Sequence, residues 1–258
     1  MDNTRRKFLK IAGMAAAVGM GSGFAGSAVA SYKPHLSKHE QRKEALEGKR
    51  WGLVIDTRKF KSHKDFERCI EACHKIHNVP EIEGNQEVKW IWTDHFEHVF
   101  PGQPNPYLAE RLENQEFLLL CNHCDNPPCV RVCPTRATFQ REDGIVMMDF
   151  HRCIGCRYCM AGCPFGARSF NFGDPRPHIE EENTEFPARM KGVVEKCNLC
   201  AERLAEGKIP ACVEASEGGI IFGDLDDPDS EIRKVLKENY TIRRKVDLGT
   251  NPSVYYIV

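Results

Sequence analysis

The stretch Cys153-Ile154-Gly155-Cys156-Arg157-Tyr158-Cys159-Met160-Ala161-Gly162-Cys163-Pro164 decides how this chain is read. Its cysteines follow the spacing C-x2-C-x2-C-x3-C-P, the pattern of a loop that holds a cubane [4Fe–4S] cluster. Each of the four irons needs one thiolate. A tight loop with a cysteine at every third residue wraps three irons and turns its backbone N–H groups toward the sulfides. The fourth cysteine lies too far along the chain and is turned away by the proline that follows.

A second block, Cys121-Asn122-His123-Cys124-Asp125-Asn126-Pro127-Pro128-Cys129-Val130-Arg131-Val132-Cys133-Pro134, repeats the plan with a longer second gap. Where two such blocks share a chain, the fourth cysteine of each ligates the other cluster. The exchange gives one set of Cys121, Cys124, Cys129 and Cys163, and another of Cys153, Cys156, Cys159 and Cys133. A third site begins at Cys197-Asn198-Leu199-Cys200, continues at Cys212 and needs a fourth ligand, for which Cys73 of Cys69-Ile70-Glu71-Ala72-Cys73 is the candidate. Zinc is the rival for the paired C-x2-C steps, but it stops at four ligands. Structural disulfides across two-residue gaps would be strained. Covalent haem needs C-x-x-C-H, which is absent.

Working outward, the 258 residues suffice for one or two compact domains, and the formal net charge of -1 excludes the broad basic field of a nucleic-acid binder. Thirteen cysteines is a high and odd count. The N-terminus reads Thr4-Arg5-Arg6-Lys7-Phe8-Leu9-Lys10, then an Ala- and Gly-rich run to Ala30. This pattern is that of a twin-arginine signal, with cleavage expected before Ser31. Its glycines argue against a stable spanning helix; an uncleaved anchor is the alternative. The route moves folded proteins, which suits clusters assembled before export. The expected location is therefore the periplasm, or the extracytoplasmic face of the cytoplasmic membrane.

The expected fold is α+β: two ferredoxin-like cluster-binding subdomains with small antiparallel sheets, short helices and long loops. Residues 1–30 form the signal segment and 31–50 a charged linker. Residues 51–225 form the tandem iron–sulfur domain, with 115–180 holding the two central cysteine blocks, and 226–258 form a C-terminal helix and tail. Within this frame Trp51–Asp56 is expected as a strand, Asp65–His77 as a helix carrying Cys69 and Cys73, and residues 88–93 as a strand. Residues 101–113 and 173–189 read as loops. A hairpin is expected from Phe139 to Met148 around Asp143-Gly144. Asp227-Pro228 reads as a helix start ahead of Ile232, Val235 and Leu236, and residues 248–258 as a loop and final strand.

Outside the cysteine blocks little speaks for catalysis. The ten histidines, His63, His74, His77, His95, His98, His123 and His151 among them, form no H-E-x-x-H or facial-triad pattern. They read as surface or ligand-supporting groups. Trp51, Trp90, Trp92, Tyr158, Tyr255 and Tyr256 read as core or interface packing. No dinucleotide, P-loop or nucleophile-elbow motif is present. Metal clusters without a substrate-binding signature imply a non-catalytic electron carrier.

The blocks RCIGCRYCMAGCPFGARSFNFGDPRP, GVVEKCNLCAERL and GTNPSVYYI resemble the four-cluster, ferredoxin-like iron–sulfur subunits of membrane oxidoreductases, over most of residues 51–258. Within that family the resemblance is greatest to the periplasmic iron–sulfur subunits of Dsr-type and Hdr-like menaquinol-oxidising complexes. It implies a multi-pass quinone-interacting membrane subunit and a periplasmic multihaem cytochrome c as partners, among other subunits of the membrane complex, and a role in sulfur metabolism. It also implies that the cluster of the Cys153 block lies nearest the membrane subunit. The family's first motif supplies four cysteines, where this chain has His63, Phe66, Cys69 and Cys73; its last motif ends in a cysteine where this chain has Ser216. By that correspondence one of four sites has lost its ligands. Three [4Fe–4S] clusters remain, held by Cys73, Cys197, Cys200 and Cys212 and by the two central sets, with Cys69 free. The alternatives are the electron-transfer subunit of a molybdopterin reductase and a zinc-binding structural subunit.

Overall fold

The computed structural model describes residues 44–258; the signal segment and most of the linker lie outside the described residues. The fold is α+β, built of small sheets, short helices and long loops. Strand β1, Trp51–Asp56, is buried along its whole length. Helix α1, His63–His77, follows. The Asp65 carboxylate accepts from the Ser62 N–H at 2.9 Å at its start, and Asn78 in the left-handed region (φ 51°) ends it. Next come β2, Ile91–His95, the one-turn helices α2, Phe96–Val99, and α3, Glu110–Glu113, and β3, Glu116–Leu120. Through the cysteine blocks run α4, Pro128–Arg131, β4, Thr138–Gln140, β5, Val146–Met148, α5, Tyr158–Ala161, and β6, Ser169–Phe170. The chain closes with β7, Val194–Glu195, α6, Ala201–Leu204, α7, Ala211–Ala215, β8, Ile220–Asp224, α8, Glu231–Glu238, β9, Thr241–Ile242, and β10, Val254–Ile257.

One sheet has four strands in the order β8-β1-β10-β9, and β2-β3, β4-β5 and β6-β7 are antiparallel ribbons. Inner strand β1 takes β8 antiparallel on one side and β10 parallel on the other, Leu53 opposite Val254. A strand buried on both faces reads as a continuous apolar run rather than an alternation. In this sheet Leu53 and Ile55 join the main core, while Val54 packs with Ile257 and with Ile232 of α8. Residues 226–258 thus supply two strands to the sheet that begins at residue 51. The small sheets are antiparallel as expected, and the β1–β10 pair adds one parallel pairing.

Several expectations meet the coordinates closely. The Asp143-Gly144 hairpin is β4–β5, with Gly144 at φ +82°. Others shift. The strand expected at 88–93 runs from Ile91 to His95, because Ile91 pairs with Leu120 while the Lys89 N–H leaves to bond Ser169 Oγ at 2.8 Å. Residues 110–113 coil into α3. Asp227-Pro228 forms a turn rather than a helix start, since the Asp227 carboxylate accepts from the Asp229 N–H at 3.0 Å; α8 begins at Glu231. Among the described residues no helix is long and apolar enough to cross a membrane.

Candidate metal centre

In three of the four C-x2-C steps the residue before the second cysteine takes positive φ: His123 at 39°, Gly155 at 70° and Leu199 at 56°; in the fourth, Cys156 to Cys159, it is Arg157 that does, at 62°. For His123 and Leu199 this costs about 1–2 kcal/mol each, a strain met where a local site over-determines the backbone. Gly155 has a second constraint, because a Cβ there would stand 2.5 Å from the Gly192 carbonyl. After each Cys-Pro the two halves repeat themselves. Cys133-Pro-Thr-Arg136-Ala-Thr138 and Cys163-Pro-Phe-Gly166-Ala-Arg168 both place their fourth residue in the left-handed region, Arg136 at 55° and Gly166 at 67°. The turn brings following N–H groups back to the sulfur: those of Phe165 and Ala167 act on Cys163, and that of Thr138 reaches Cys133 Sγ at 3.5 Å.

Cys121, Cys124, Cys129 and Cys163 line one cavity together with Asn122, Phe165 and Arg168. Cys133, Cys153 and Cys159 gather in an apolar cluster with Ala137, Val146, Met148 and Val194, to which buried Cys129 also belongs. The one-turn helices α4 and α5 pack against each other there. Cys156 is exposed, flanked by Ile154 and Tyr158 at 66 % and 63 % exposure.

The third group is Cys73 on α1, Cys197 and Cys200 after β7, and Cys212 on α7. Cys73 feels the charges of Cys197, Cys200 and Cys212. Cys69, one turn earlier, donates to the Asp65 carbonyl at 3.5 Å and, of the other cysteines, bears on Cys212. The other residues at the positions of the family's first and last motifs are committed to partners of their own. Phe66 is buried and stacks on Phe60 at 4.7 Å, and His63 Nδ1 sits 2.9 Å from Glu116. Ser216 Oγ donates to the Val213 carbonyl at 2.7 Å and accepts from the Ile220 N–H at 2.9 Å, satisfying both roles of a buried hydroxyl.

The donor set fits cubane clusters. Burial pushes the Cys124 and Cys197 thiols up to about 12, and those of Cys73 and Cys212 well above their ordinary value. A chain without metal keeps these groups neutral, so metal binding must displace their protons. At Cys133 the opposing effect of burial is outweighed by N–H and hydroxyl donors, and its pKa is lowered. Donors beside the central cavity also lack an oxygen partner: Nδ2 of Asn122 and Nη2 of Arg168 in its wall, while the Thr250 hydroxyl bears on the Cys124 sulfur. Buried donors without acceptors are rare, and cluster sulfurs would accept from them.

Sequence reading passed over several side chains around these groups. His123 is buried, accepts from the Val146 N–H at 3.1 Å through Nδ1, and so presents Nε2–H toward Cys197 Sγ, 3.8 Å away. His77 touches Glu202 through Nε2 at 2.7 Å and stacks on Trp90. Buried Lys196 donates to the Cys197 carbonyl at 2.6 Å. Arg168 and Arg244 lie close to cluster cysteines. The available signal was position: Arg168 is the counterpart of Thr138 in the repeat, and Lys196 directly precedes Cys197.

Comparison with known proteins bears on the same residues. Residues 114–174 match the family described as a 4Fe-4S dicluster domain. The chain is 41 % identical to the Hdr-like menaquinol oxidoreductase iron-sulfur subunit 1 of Archaeoglobus fulgidus, over 98 % of this chain and 97 % of that protein. It is 35 % identical to a subunit of the tetrathionate reductase of Salmonella typhimurium, over 100 % of this chain and 89 % of that one. To protein NrfC of Escherichia coli it is 34 % identical, over 100 % and 96 %. Since these likenesses run the length of the chain and the matched domain holds both central cysteine blocks, the protein belongs to the family of ferredoxin-like iron–sulfur subunits built on the 4Fe–4S dicluster domain.

Proposed function

We propose that this chain is a periplasmic electron-transfer subunit carrying three [4Fe–4S] clusters. It relays electrons between a multi-pass quinone-interacting membrane subunit and a multihaem cytochrome c, or another redox partner, in a sulfur-metabolism respiratory complex. The count is supported by Phe66 and Ser216, which stand where the family's motifs carry cysteine and are engaged with Phe60 and with the Val213 carbonyl, and by the gathering of the other cysteines around the central cavity, in the apolar cluster beside it and at Cys73. Thirteen cysteines less three sets of four leave Cys69 over. The quinone side is supported by the Archaeoglobus relative, named for a menaquinol oxidoreductase. The exposed edge at Ile154, Cys156 and Tyr158 is where the Cys153 cluster would come closest to a partner. Reductase names among the relatives support the second reading, attachment to a molybdopterin reductase; the subunits that co-purify in mild detergent discriminate the two.

Iron and sulfide analysis of the purified holoprotein is expected to give about twelve of each per chain, taking four per cubane. Its visible absorption should bleach with dithionite. A colourless protein with stoichiometric zinc would overturn the reading, and about sixteen irons would overturn the count.

Export as a folded holoprotein follows from Arg5-Arg6 ahead of Phe8-Leu9-Lys10. Changing both arginines to lysine is expected to leave the precursor in the cytoplasm with its clusters intact. Unchanged periplasmic yield of that variant would rule out the twin-arginine route.

A further inference from the structure

Arg168 is a buried cation without a carboxylate. The residue is 5 % exposed. Arg189, at 2 %, is paired with Glu195 at 2.7 Å. Among the described residues no Asp or Glu makes an ion pair with Arg168. Nη1 donates to Thr138 Oγ1 at 3.2 Å and approaches Met148 Sδ at 3.9 Å, Nη2 has no oxygen partner, and the guanidinium lies within hydrogen-bonding reach of the Cys129 and Cys159 thiols. A guanidinium keeps its charge at any pH the protein meets. An uncompensated buried charge is strongly destabilising, so this one calls for an anion, and with no carboxylate at hand the cysteine sulfurs beside it are the groups placed to provide one.

Position names the anion. Arg168 lines the cavity of Cys121, Cys124, Cys129 and Cys163. The charges that raise its pKa against burial are those of Cys129, Cys159 and Cys121. Cys129 belongs to the set around that cavity and Cys159 to the neighbouring one. The Thr138–Arg168 bond joins equivalent positions of the two halves, which places the guanidinium where the halves meet. Buried Arg244 differs, since Cys163 is the one cysteine acting on it.

We propose that Arg168 is the shared counter-cation of the two central [4Fe–4S] clusters, holding both at raised reduction potential. A cubane with four thiolate ligands is an anion, and reduction adds one negative charge. A fixed cation in a low-dielectric interior therefore favours the reduced form on either side of it. An electron passing between the two clusters oxidises one as it reduces the other, and Arg168 exchanges no proton. One charge serves both, so it raises the two potentials together and opens no large step between them.

The inference rests on the cluster assignment proposed above, and the test separates the two. The full-length holoprotein, Arg168→Gln and Arg168→Lys are titrated with dithionite and followed by electron paramagnetic resonance, with iron and sulfide measured on the same samples. Parent protein without cubane clusters would remove the assignment itself. With clusters present, Arg168→Gln is expected to shift two midpoint potentials to more negative values and leave the third unmoved. Arg168→Lys is expected to hold both near the parent values, because it keeps the charge. A shift of one potential, or of none, in Arg168→Gln overturns the proposal. Should that variant fail to retain its clusters, Arg168→Met, which removes the charge but keeps the apolar bulk, takes its place: a fall in two potentials supports the proposal, and a fall in one or none overturns it. A role confined to the Thr138 hydrogen bond would move no potential.

Discussion

Cys73→Ser is expected to remove one [4Fe–4S] cluster, lowering iron from about twelve to about eight atoms per chain, while Cys69→Ser leaves the content unchanged. The two cysteines lie one helical turn apart on α1, and both are buried. They differ in what surrounds them. Cys73 feels Cys197, Cys200 and Cys212 together. Cys69 hangs from the Asp65 carbonyl beside a space already packed with Phe60 and Phe66. A serine hydroxyl at residue 69 inherits that carbonyl partner, so its cost in stability should be small. At residue 73 the hydroxyl replaces a thiolate ligand, and oxygen is a poor substitute on iron held otherwise by sulfur. Loss of a cluster on changing Cys69, with Cys73→Ser intact, would reverse the assignment. Retention in both would point to a fourth ligand elsewhere.

The second large effect is expected at Glu195. This carboxylate is fully buried on β7 and holds three donors: Arg189 Nη2 at 2.7 Å, Trp90 Nε1 at 2.9 Å and the Asn171 amide. Arg189 carries the network on to the His77 and Asn78 carbonyls at the end of α1. The network thus ties α1, the start of β2 and the ribbon β6–β7 to one another. Removing one partner of such a buried pair costs about 3–5 kcal/mol, because the other charge stays behind uncompensated. Glu195→Gln should therefore lower resistance to guanidinium strongly, even though its amide oxygen can still accept from Trp90. Adding Arg189→Met should recover part of the loss, since the stranded charge is gone. Glu195 stands two residues before Cys197, so the cluster held there should be the first to bleach during denaturation. A loss below about 1 kcal/mol in Glu195→Gln, the size of a surface pair, would contradict this account.

Much of this was legible in the sequence, and the reason is local. Cysteine spacing, the Asp143-Gly144 turn, the apolar run of β1 and the helix bearing Cys69 and Cys73 depend on neighbours within a few residues. What escaped depends on partners far along the chain. The parallel mate of β1 is about two hundred residues away, and nothing in VYYI says which strand it will join. The left-handed φ of His123 and Leu199 is imposed by loops around the cysteines, against the preference of those side chains. Arg168 reads like any other arginine until folding brings it beside Cys129 and Cys159. The start of α8 was misplaced because Asp227 fits a cap and a turn equally well, and here its carboxylate closes the turn on the Asp229 N–H.

The place of β10 beside β1 has a consequence for the life of the chain before it reaches its complex. The sheet needs both its first strand and its last residues, and the tail does more than complete it. The N–H groups of Asp125 and Asn126, next to Cys124, donate to the carbonyls of Asn251 and Thr250 at 2.9 and 3.0 Å. While those residues are still inside the ribosome, the loop bearing Cys121 and Cys124 lacks its clamp, and β1 lies open along the edge that β10 will cover. The Cys121–Cys124 loop is thereby complete only once residues 250 and 251 have folded back onto it. A chain cut short between Cys212 and Thr250 would carry every cysteine yet lack both that clamp and the strand that pairs with β1.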